Sequence, residues 1–322
     1  MLTSYHNKHI KIKENGIEYY SVKGLDSVKK EMLRLLCIID DIAIKNSINY
    51  WIDGGSLIGV LRHDGFIPWD DDLDISLLKD DYTKLIEELS RYTNEHNDAY
   101  LFYKAPQKKH VCNYFARMEI YCREYGSHML VPVKVDIRPL NCISDTSSSI
   151  KENLQYRDIA NKLLYGKSYN YATCFPKNKE EVDSFFDFYN NNYGFDDPQN
   201  NGVTLVHPYF EFSNNFKLSY NDIFPLKRHK FEHLNIPIPN NFHYLLTSLY
   251  GDYMKLPNIE NRAPIACEVG CYHIKGMHFD AYIRSIFDPT QSINVKFKKL
   301  YQSVKVLGVF KLLRIFIYEK TN

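Results

Sequence analysis

The sequence predicts an α+β fold, in which helices pack against one mixed sheet of the α/β kind. Segments with helical periodicity alternate with short apolar runs, as expected when strands and helices share one core. The 322 residues suffice for one large domain, and no internal repeat or low-complexity linker divides them. We therefore expect one domain at 1–290 with a helical region inserted at about 147–200, followed by a basic amphipathic helix at 291–322.

The first half of the chain contains the clearest elements. Apolar residues recur at spacings of three and four through Leu25–Asn46, which is the pattern of an amphipathic helix. A short strand at Asn49–Asp53 follows and is ended by two glycines. The elements expected next are a short helix from its N-cap Ser56 to about Arg62, an alternating strand at Leu73–Leu78, and a helix from its N-cap Asp80 to Arg91.

The second half of the chain is predicted to continue the sheet and then to end on a core helix. Its last expected helix covers Phe242–Tyr250 and is ended by Gly251. The expected strands are Tyr100–Tyr103, Tyr114–Tyr121, Val131–Ile137, Val203–Val206 and short strands within Phe224–Pro239, and the pattern is helical at Ser147–Gly194.

The charge of the chain is unevenly distributed. The overall net charge is +1, but the tail Asn294–Asn322 has seven basic residues and one acid, which leaves −5 for the rest. A mildly acidic body is unsuited to wrapping nucleic acid, so we expect no nucleic-acid partner. Val304–Tyr318 is too short and too charged to span a bilayer. It fits either an interfacial helix on anionic lipid or a helix docked on protein.

The seven cysteines indicate the compartment. They are scattered and odd in number, and the N-terminal residues contain no apolar run of the signal-peptide kind. These features favour free thiols in a reducing cytosol. We expect a cytoplasmic protein, peripheral on the inner face of the cell membrane if the basic tail binds lipid. Cys267 and Cys271, with His273 and His278, do not have the spacing of a standard zinc finger.

The stretch with most chemical content is WIDGGSLIGVLRHDGFIPWDDDLDISL, from Trp51 to Leu77. Gly54, Gly55 and Ser56 open a helix directly after a strand. Glycines let a phosphate approach the backbone, and the helix N-terminus favours an anion. The same turn also occurs for purely steric reasons, so this pattern alone leaves both interpretations open.

Four carboxylates lie at the start of the following strand, in Asp70–Asp74. Residues two apart in a strand share a face, so Asp72 and Asp74 are expected to point the same way while Leu73 enters the core. Neighbouring carboxylates repel unless a cation lies between them, and Mg²⁺ or Mn²⁺ is the hard cation that prefers such oxygens. The alternative is a solvated acidic loop.

Asp136 lies in an otherwise apolar strand, where an isolated carboxylate would be costly. It therefore either pairs with a lysine or arginine, or completes the metal site and accepts a proton from an attacking hydroxyl. Arg62 and His63 end the short helix, where a cation could bind a second phosphate, although an ordinary exposed arginine is the alternative. Trp69 could stack on a cytosine or pack in the core.

These motifs together resemble the LicD family, which is related to fukutin and fukutin-related protein within the nucleotidyltransferase-fold superfamily. The superfamily pattern is a Gly-Gly/Ser helix start, two acids separated by one apolar residue, and a third acid on a later strand. The segment VKVDIRPL resembles the family's Ile-Asp-Ile-Phe-Pro-Leu strand, with Arg138 in place of the aromatic. Ile223–Pro257 resembles the family's C-terminal half, including its Tyr-Gly-Asp-Tyr-Met ending, and residues 150–215 match least.

The resemblance implies a nucleotidyltransferase-like core and a metal-dependent transferase. The transferred group would be phosphocholine or an alditol phosphate, taken from a CDP-activated donor to a sugar hydroxyl of a glycan or glycolipid such as lipopolysaccharide, teichoic acid or capsule, with release of CMP. Asp72, Asp74 and Asp136 would then be both the catalytic residues and the Mg²⁺ or Mn²⁺ ligands. Two alternatives remain, namely a nucleotidyltransferase that moves NMP from an NTP to a small molecule, and a non-catalytic glycan-assembly protein.

Overall fold

A computed structural model describes residues 10–96, 99–102, 116–124, 130–146, 148–149, 151, 196–206, 217–264 and 269–270. Most of the expected helical region at 147–200 lies outside these residues. So do the basic helix expected at 291–322 and the Cys267–Cys271 pair. In the described part of the chain, no helix is long and apolar enough to cross a membrane.

Helices and strands alternate in the described chain, which confirms the α+β class. The helices are α1 (Leu25–Lys45), α2 (Gly54–His63), α3 (Lys79–Glu95), α4 (Tyr220–Ile223) and α5 (Phe242–Tyr250), with a 3-10 turn at Ile259–Asn261. The strands are β1 (Ile10–Glu14), β2 (Ile17–Ser21), β3 (Trp51–Ile52), β4 (Asp74–Leu78), β5 (Tyr100–Phe102), β6 (Ala116–Glu124), β7 (Leu130–Ser144), β8 (Val203–Val206), β9 (Lys227–Phe231), β10 (Leu234–Ile238) and β11 (Val269–Gly270).

The main sheet has seven strands and is mixed. Its central order is β11-β6-β7-β4-β3, with β5 paired to β6 and β8 paired to β7. Only β4 and β7 run parallel among the described pairs, and all other neighbours are antiparallel. Both are rich in buried apolar residues because they lie at the centre of the sheet.

Helix α1 forms one wall of the core. Its apolar residues recur every three or four positions, and the buried ones face the sheet while charged residues face solvent. Helix α5 closes the core elsewhere through Leu245 and Leu246, and it ends at Gly251, which has a positive φ, as predicted.

Three local predictions differ from the structure. Asp53, not Ser56, caps α2, because its carboxylate accepts the Gly54 N–H group while Ser56 lies inside the first turn. Asp80 is not a cap either, since α3 begins at Lys79 after Leu78 and no side chain caps it. The β1–β2 hairpin was not predicted, although its turn Asn15-Gly16 has the two positive φ angles of a tight hairpin.

The loop between α2 and β4 is held from two sides. The Lys29 ammonium of α1 donates to the carbonyl oxygens of Ile67 and Pro68, at 3.1 and 2.7 Å. The Glu232 carboxylate, in the β9–β10 turn, accepts the Phe66 N–H group at 3.1 Å. These bonds fix the chain that leads directly into Asp70–Asp74.

Gly59 of α2 lies directly against the same loop. A Cβ atom at this position would be 2.6 Å from the carbonyl oxygen of Gly65 and 3.2 Å from the backbone nitrogen of Ile67. The first contact is shorter than real Cβ contacts, and a backbone atom cannot turn aside as a flexible side chain can. Glycine at position 59 therefore sets how closely the loop approaches the helix.

We expect Gly59→Ala to lower the free energy of unfolding by about 1–2 kcal/mol. The overpacking would exceed the roughly 1 kcal/mol by which alanine is preferred in helices. Thermal or urea unfolding measures the effect. Gly55→Ala is the matched control in the same helix, because its Cβ would make only an ordinary 3.6 Å contact with Asp70. Equal stability of the two variants would contradict this account.

Candidate active site

The parallel pairing of β4 with β7 brings two acids together. Asp74, the first residue of β4, lies in register with Asp136 of β7. The Asp136 N–H group donates to the Leu73 carbonyl oxygen at 2.9 Å, which continues the ladder beyond the strand. Residues in register on neighbouring strands point to the same face, so both carboxyl groups lie on one side of the sheet. Both residues are buried.

Asp74 forms an ion pair with Arg138. One guanidinium nitrogen, Nη2, lies 2.7 Å from Asp74 Oδ1, and the two side chains are only 12% and 7% exposed. Burial raises the pKa of Asp74, Arg138 acts against that shift, and the charges of Asp72 and Asp136 add to it. The surrounding acids raise the pKa of Arg138, although burial alone would lower it. The Arg138 guanidinium thus lies among several carboxylates.

Asp136 has its own basic partner, since the Lys134 ammonium donates to Asp136 Oδ2 at 2.6 Å. Lys134, Asp136 and Arg138 are two apart along β7 and so share one face of the sheet. The strand therefore presents charges in the order positive, negative, positive beside Asp74. Pairing with a basic residue was one of the two alternatives for Asp136, and this contact is present.

The start of α2 borders these carboxylates. Asp53 accepts the Gly54 N–H group at 2.8 Å and also accepts the Ser76 hydroxyl of β4. The Ser56 hydroxyl accepts the Asp74 N–H group at 3.0 Å. Gly54 has φ +58°, and a Cβ there would lie 3.3 Å from Asp74 Oδ2. These contacts tie the glycine end of the helix to the strand that carries Asp74.

The remaining acids of the cluster approach the same helix end. A Cβ at Gly55 would lie 3.6 Å from Asp70 Oδ2. Burial, together with the charges of Asp72 and Asp71, raises the pKa of Asp70 to about 8. Asp72 precedes β4 and is partly exposed, and its charge acts on both Asp70 and Asp74. The acid-rich loop and the two strand acids thus form one electrostatic group.

Arg62, His63 and Trp69 form a neighbouring cluster at the other end of α2. Trp69 is 7% exposed, its ring centroid is 6.0 Å from that of Tyr19 and 6.4 Å from that of His63, and the Arg62 guanidinium lies 5.9 Å over it. The Trp69 ring therefore occupies the core position that the sequence left as an alternative. Arg62 also donates to the Tyr253 carbonyl oxygen at 3.2 Å.

His63 does not provide a positive charge at neutral pH. Burial, together with the nearby charges of Arg62 and Lys29, lowers the pKa of His63 to about 4. Arg62 keeps an electrostatic link to the acid cluster, since Asp70 raises its pKa against the lowering effects of burial and of Arg262. Of the two residues expected to meet a phosphate at this helix end, Arg62 is the cation.

Tyr250 and the strand cations were not identified as site residues from the sequence. The Tyr250 hydroxyl lies 3.6 Å from the position of a Cβ on Gly54. Burial, with the charges of Asp53 and Asp74, raises the pKa of Tyr250, although 46% of the whole residue is exposed. For Tyr250, the sequence feature that could have identified it is the Tyr-Gly-Asp-Tyr-Met segment. For Lys134 and Arg138, it is their alternation with Asp136 along the strand.

The chemistry of the donors fits a hard divalent cation. Asp72, Asp74 and Asp136 offer only oxygen atoms, and two of these acids already have a positive side chain beside them. Among the described residues, however, the structure contains no group of three or more Asp, Glu, His or Cys side chains close enough together to hold a metal ion. The assignment of Asp72, Asp74 and Asp136 as metal ligands stays a prediction.

A cavity of about 1000 Å³ lies at the far end of the same strands. Leu78 and Leu140, which pair in register, are at its floor, and Tyr220, Phe224 and Asn49 contribute to its walls. Leu78 shares a face of β4 with Asp74, four residues away, which corresponds to roughly 13 Å. The cavity and the carboxylates therefore occupy two ends of one sheet face.

Comparison with known proteins connects this site to a family. Residues 47–121 match the model of the LicD/FKTN/FKRP nucleotidyltransferase domain. The match covers β3, α2 and β4, and hence the glycine helix start and the acids Asp70–Asp74.

Curated relatives match short stretches of the chain. The chain is 37% identical over 73 residues to the lipopolysaccharide cholinephosphotransferase LicD of Haemophilus influenzae, covering 22% of this chain and 28% of that protein. It is 31% identical over 85 residues to the protein RP689 of Rickettsia prowazekii, covering 26% and 31%. It is 47% identical over 34 residues to the human ribitol 5-phosphate transferase FKRP, covering 11% and 7%.

These matches are local, since the chain spans about 28–31% of the length of the first relatives. Residues 47–121 of this chain are thus similar to the nucleotidyltransferase domain of the LicD family.

Proposed function

We propose that this protein transfers a phosphoryl-linked group, of the phosphocholine or alditol phosphate type, from a CDP-activated donor to a sugar hydroxyl of a bacterial surface glycan. The observation that carries the proposal is the in-register pair Asp74 and Asp136 beside the glycine end of α2. Asp74 and α2 lie within residues 47–121, which match the family model. Two relatives that match part of the chain are named as a cholinephosphotransferase and a ribitol 5-phosphate transferase. Both names describe the same class of transfer.

The residues of the site have separate tasks in this reaction. The first-turn N–H groups at Gly55 and Ser56, together with the helix dipole, favour a phosphate of the donor. Asp72, Asp74 and Asp136 would hold Mg²⁺ or Mn²⁺, which supplies neutralisation of the diphosphate charge when bound.

The bond changes follow from an in-line displacement at phosphorus. The acceptor oxygen forms a new bond to the phosphorus that carries the transferred group. The bond to the CMP oxygen breaks, and CMP leaves with the electron pair. A carboxylate near the acceptor hydroxyl, for which we propose Asp136, accepts its proton. Positioning and charge neutralisation would provide most of the rate enhancement.

The cavity at the end of β4 and β7 is our candidate for the acceptor. It lies on the same sheet face as the carboxylates, roughly 13 Å along β4 from Asp74. Its lining combines the stacked rings of Tyr220 and Phe224, 4.5 Å apart, with the amide of Asn49. Sugars present both apolar ring faces and hydroxyl groups, and such walls can contact both. The four acids of its lining, Asp80, Asp81, Asp196 and Asp197, outnumber its two lysines, Lys79 and Lys84, and this excess of negative charge disfavours an anionic donor there.

Activity should depend on the acids Asp72 and Asp74. We expect Asp74→Asn, and likewise Asp72→Asn, to lower kcat by about 100-fold or more while the protein stays folded, since an amide no longer binds the cation or balances charge. Turnover and thermal unfolding measure the two effects. Asp26→Asn, an exposed acid in the first turn of α1, is the control and should keep full activity. Substantial turnover by Asp74→Asn would remove the metal assignment.

The released product distinguishes the proposed reaction from its alternatives. With CDP-choline, CDP-ribitol or CDP-glycerol, Mg²⁺ and a panel of glycans, we expect CMP to appear in proportion to modified glycan. Pyrophosphate released from an NTP would instead support a nucleotidyltransferase. Glycan binding without any product would support a non-catalytic assembly protein. Either result would reject the proposal.

The acceptor site is tested through Tyr220. We expect Tyr220→Ala to raise the acceptor KM by about 2- to 10-fold, the range that corresponds to loss of one ring contact, with the donor KM unchanged. Tyr220→Phe is the matched control, because it keeps the ring and should keep the KM. Equal acceptor KM values for the wild type and Tyr220→Ala would place the acceptor elsewhere.

A further inference from the structure

We propose that Arg138 occupies the place of a divalent cation on Asp74 and turns to the donor diphosphate when the metal binds, so that metal and diphosphate bind cooperatively. This inference rests on the proposed function. It concerns a residue at which the chain departs from the strand pattern it resembles, because an arginine stands where that pattern has an aromatic residue. The coupling would therefore be specific to chains with this arginine.

The first observation is the ion pair itself. Arg138 Nη2 and Asp74 Oδ1 are 2.7 Å apart, and both side chains are almost excluded from solvent. A buried carboxylate and guanidinium each lose hydration, and the loss is offset only while both remain paired. A divalent cation that binds Asp74 must share the carboxylate with Arg138 or displace it. Two cations held together on one buried carboxylate would repel each other.

The second observation is where the rest of the guanidinium lies. Arg138 Nη1 is 3.7 Å from the position that a Cβ of Gly54 would occupy, at the glycine end of α2. Asp74 Oδ2 and the Tyr250 hydroxyl border the same space, at 3.3 and 3.6 Å. While it is paired with Asp74, Arg138 therefore already lies at the glycine end of α2, next to the place proposed for a donor phosphate.

Guanidinium chemistry suits both partners. Its planar fork binds carboxylates and phosphates alike through two parallel hydrogen bonds. Without an anion at the helix end, a metal that displaces Arg138 leaves a buried guanidinium with a weaker set of partners, and metal binding is penalised. A diphosphate would remove that penalty, because its oxygens would accept hydrogen bonds from the Arg138 guanidinium. By linkage, the metal must strengthen diphosphate binding by the same factor.

The Lys134–Asp136 pair does not have the same consequence. Lys134 is 23% exposed, against 12% for Arg138, and its flexible ammonium can return to water when Asp136 binds a metal. The three atoms nearest to a Cβ at Gly54 belong to Asp74, Tyr250 and Arg138, so Arg138 and not Lys134 is the nearest basic residue at this position. Lys134 lies on the same strand face as Arg138. It should lower the affinity for the metal without coupling metal binding to diphosphate binding.

The test measures Mn²⁺ binding by titration calorimetry or by electron paramagnetic resonance, with and without CDP as the diphosphate probe, on the full chain. For the wild type we expect weak Mn²⁺ binding alone, tightened by CDP about 5-fold or more. For Arg138→Gln we expect Mn²⁺ alone to bind about 5-fold or more tightly than to the wild type, with most of the effect of CDP lost. Lys134→Gln should tighten Mn²⁺ binding but keep the effect of CDP.

Two further variants make the result decisive. Arg228→Gln removes an arginine that pairs with Asp40 on α1, at 3.2 Å, and should change neither Mn²⁺ nor CDP binding. Arg138→Lys keeps the charge but not the planar fork, so it should bind Mn²⁺ weakly and show a reduced effect of CDP. It also serves as the test variant if Arg138→Gln does not fold, as judged by circular dichroism.

The outcomes separate this inference from the proposed function. Unchanged or weaker Mn²⁺ binding by Arg138→Gln, or an undiminished effect of CDP, would overturn the role of Arg138 even if the wild type releases CMP from a CDP-activated donor. Coupled Mn²⁺ and CDP binding without any CMP release would support Arg138 and reject the transferase. Absence of Mn²⁺ binding to every variant would overturn this inference, and CMP release in the presence of a chelator would then show that the transferase remains.

Discussion

The parallel pairing of β4 with β7 is the constraint on which the site depends. Antiparallel neighbours follow one another through short turns, whereas a parallel pair needs a longer crossover. Here α3, β5 and β6 lie between the two strands in sequence, and β6 returns antiparallel to β7. The crossover fixes which residue of β7 meets the first residue of β4. A shift of one residue would turn Asp136 to the other face of the sheet and separate it from Asp74.

The buried acids also explain the charge pattern of β7. Two carboxylates in register near the sheet centre would repel each other and would be costly to bury alone. Lys134 and Arg138 flank Asp136 on its own strand face, and Lys134 contacts Asp136 while Arg138 contacts Asp74. The same strand therefore brings a buried carboxylate and the charges that make its burial tolerable. Apolar residues at these positions would stabilise the sheet but would remove the charged site.

Much of the site was predictable from the sequence because its elements are local. The glycine helix start, the acids of Asp70–Asp74 and the apolar alternation around Asp136 can each be recognised within a few residues. The Arg138–Asp74 contact could not be predicted in the same way, because it depends on the register between strands distant in sequence. The choice of Asp53 over Ser56 as the cap of α2 also depends on tertiary structure, since Ser76 of β4 holds Asp53 and the Asp74 backbone engages Ser56.

Packing far from the acids determines how the acid loop enters the site. The loop reaches β4 over the backbone of Gly59, and Lys29 and Glu232 hold it from opposite sides. Lys29 is largely buried, and burial lowers its pKa, while Asp70 acts in the opposite direction. The ammonium therefore belongs both to the loop anchor and to the electrostatic environment of the acids. Any change that loosens the anchor also changes the charge balance next to Asp70, so the stability of this loop and the chemistry of the site are not independent.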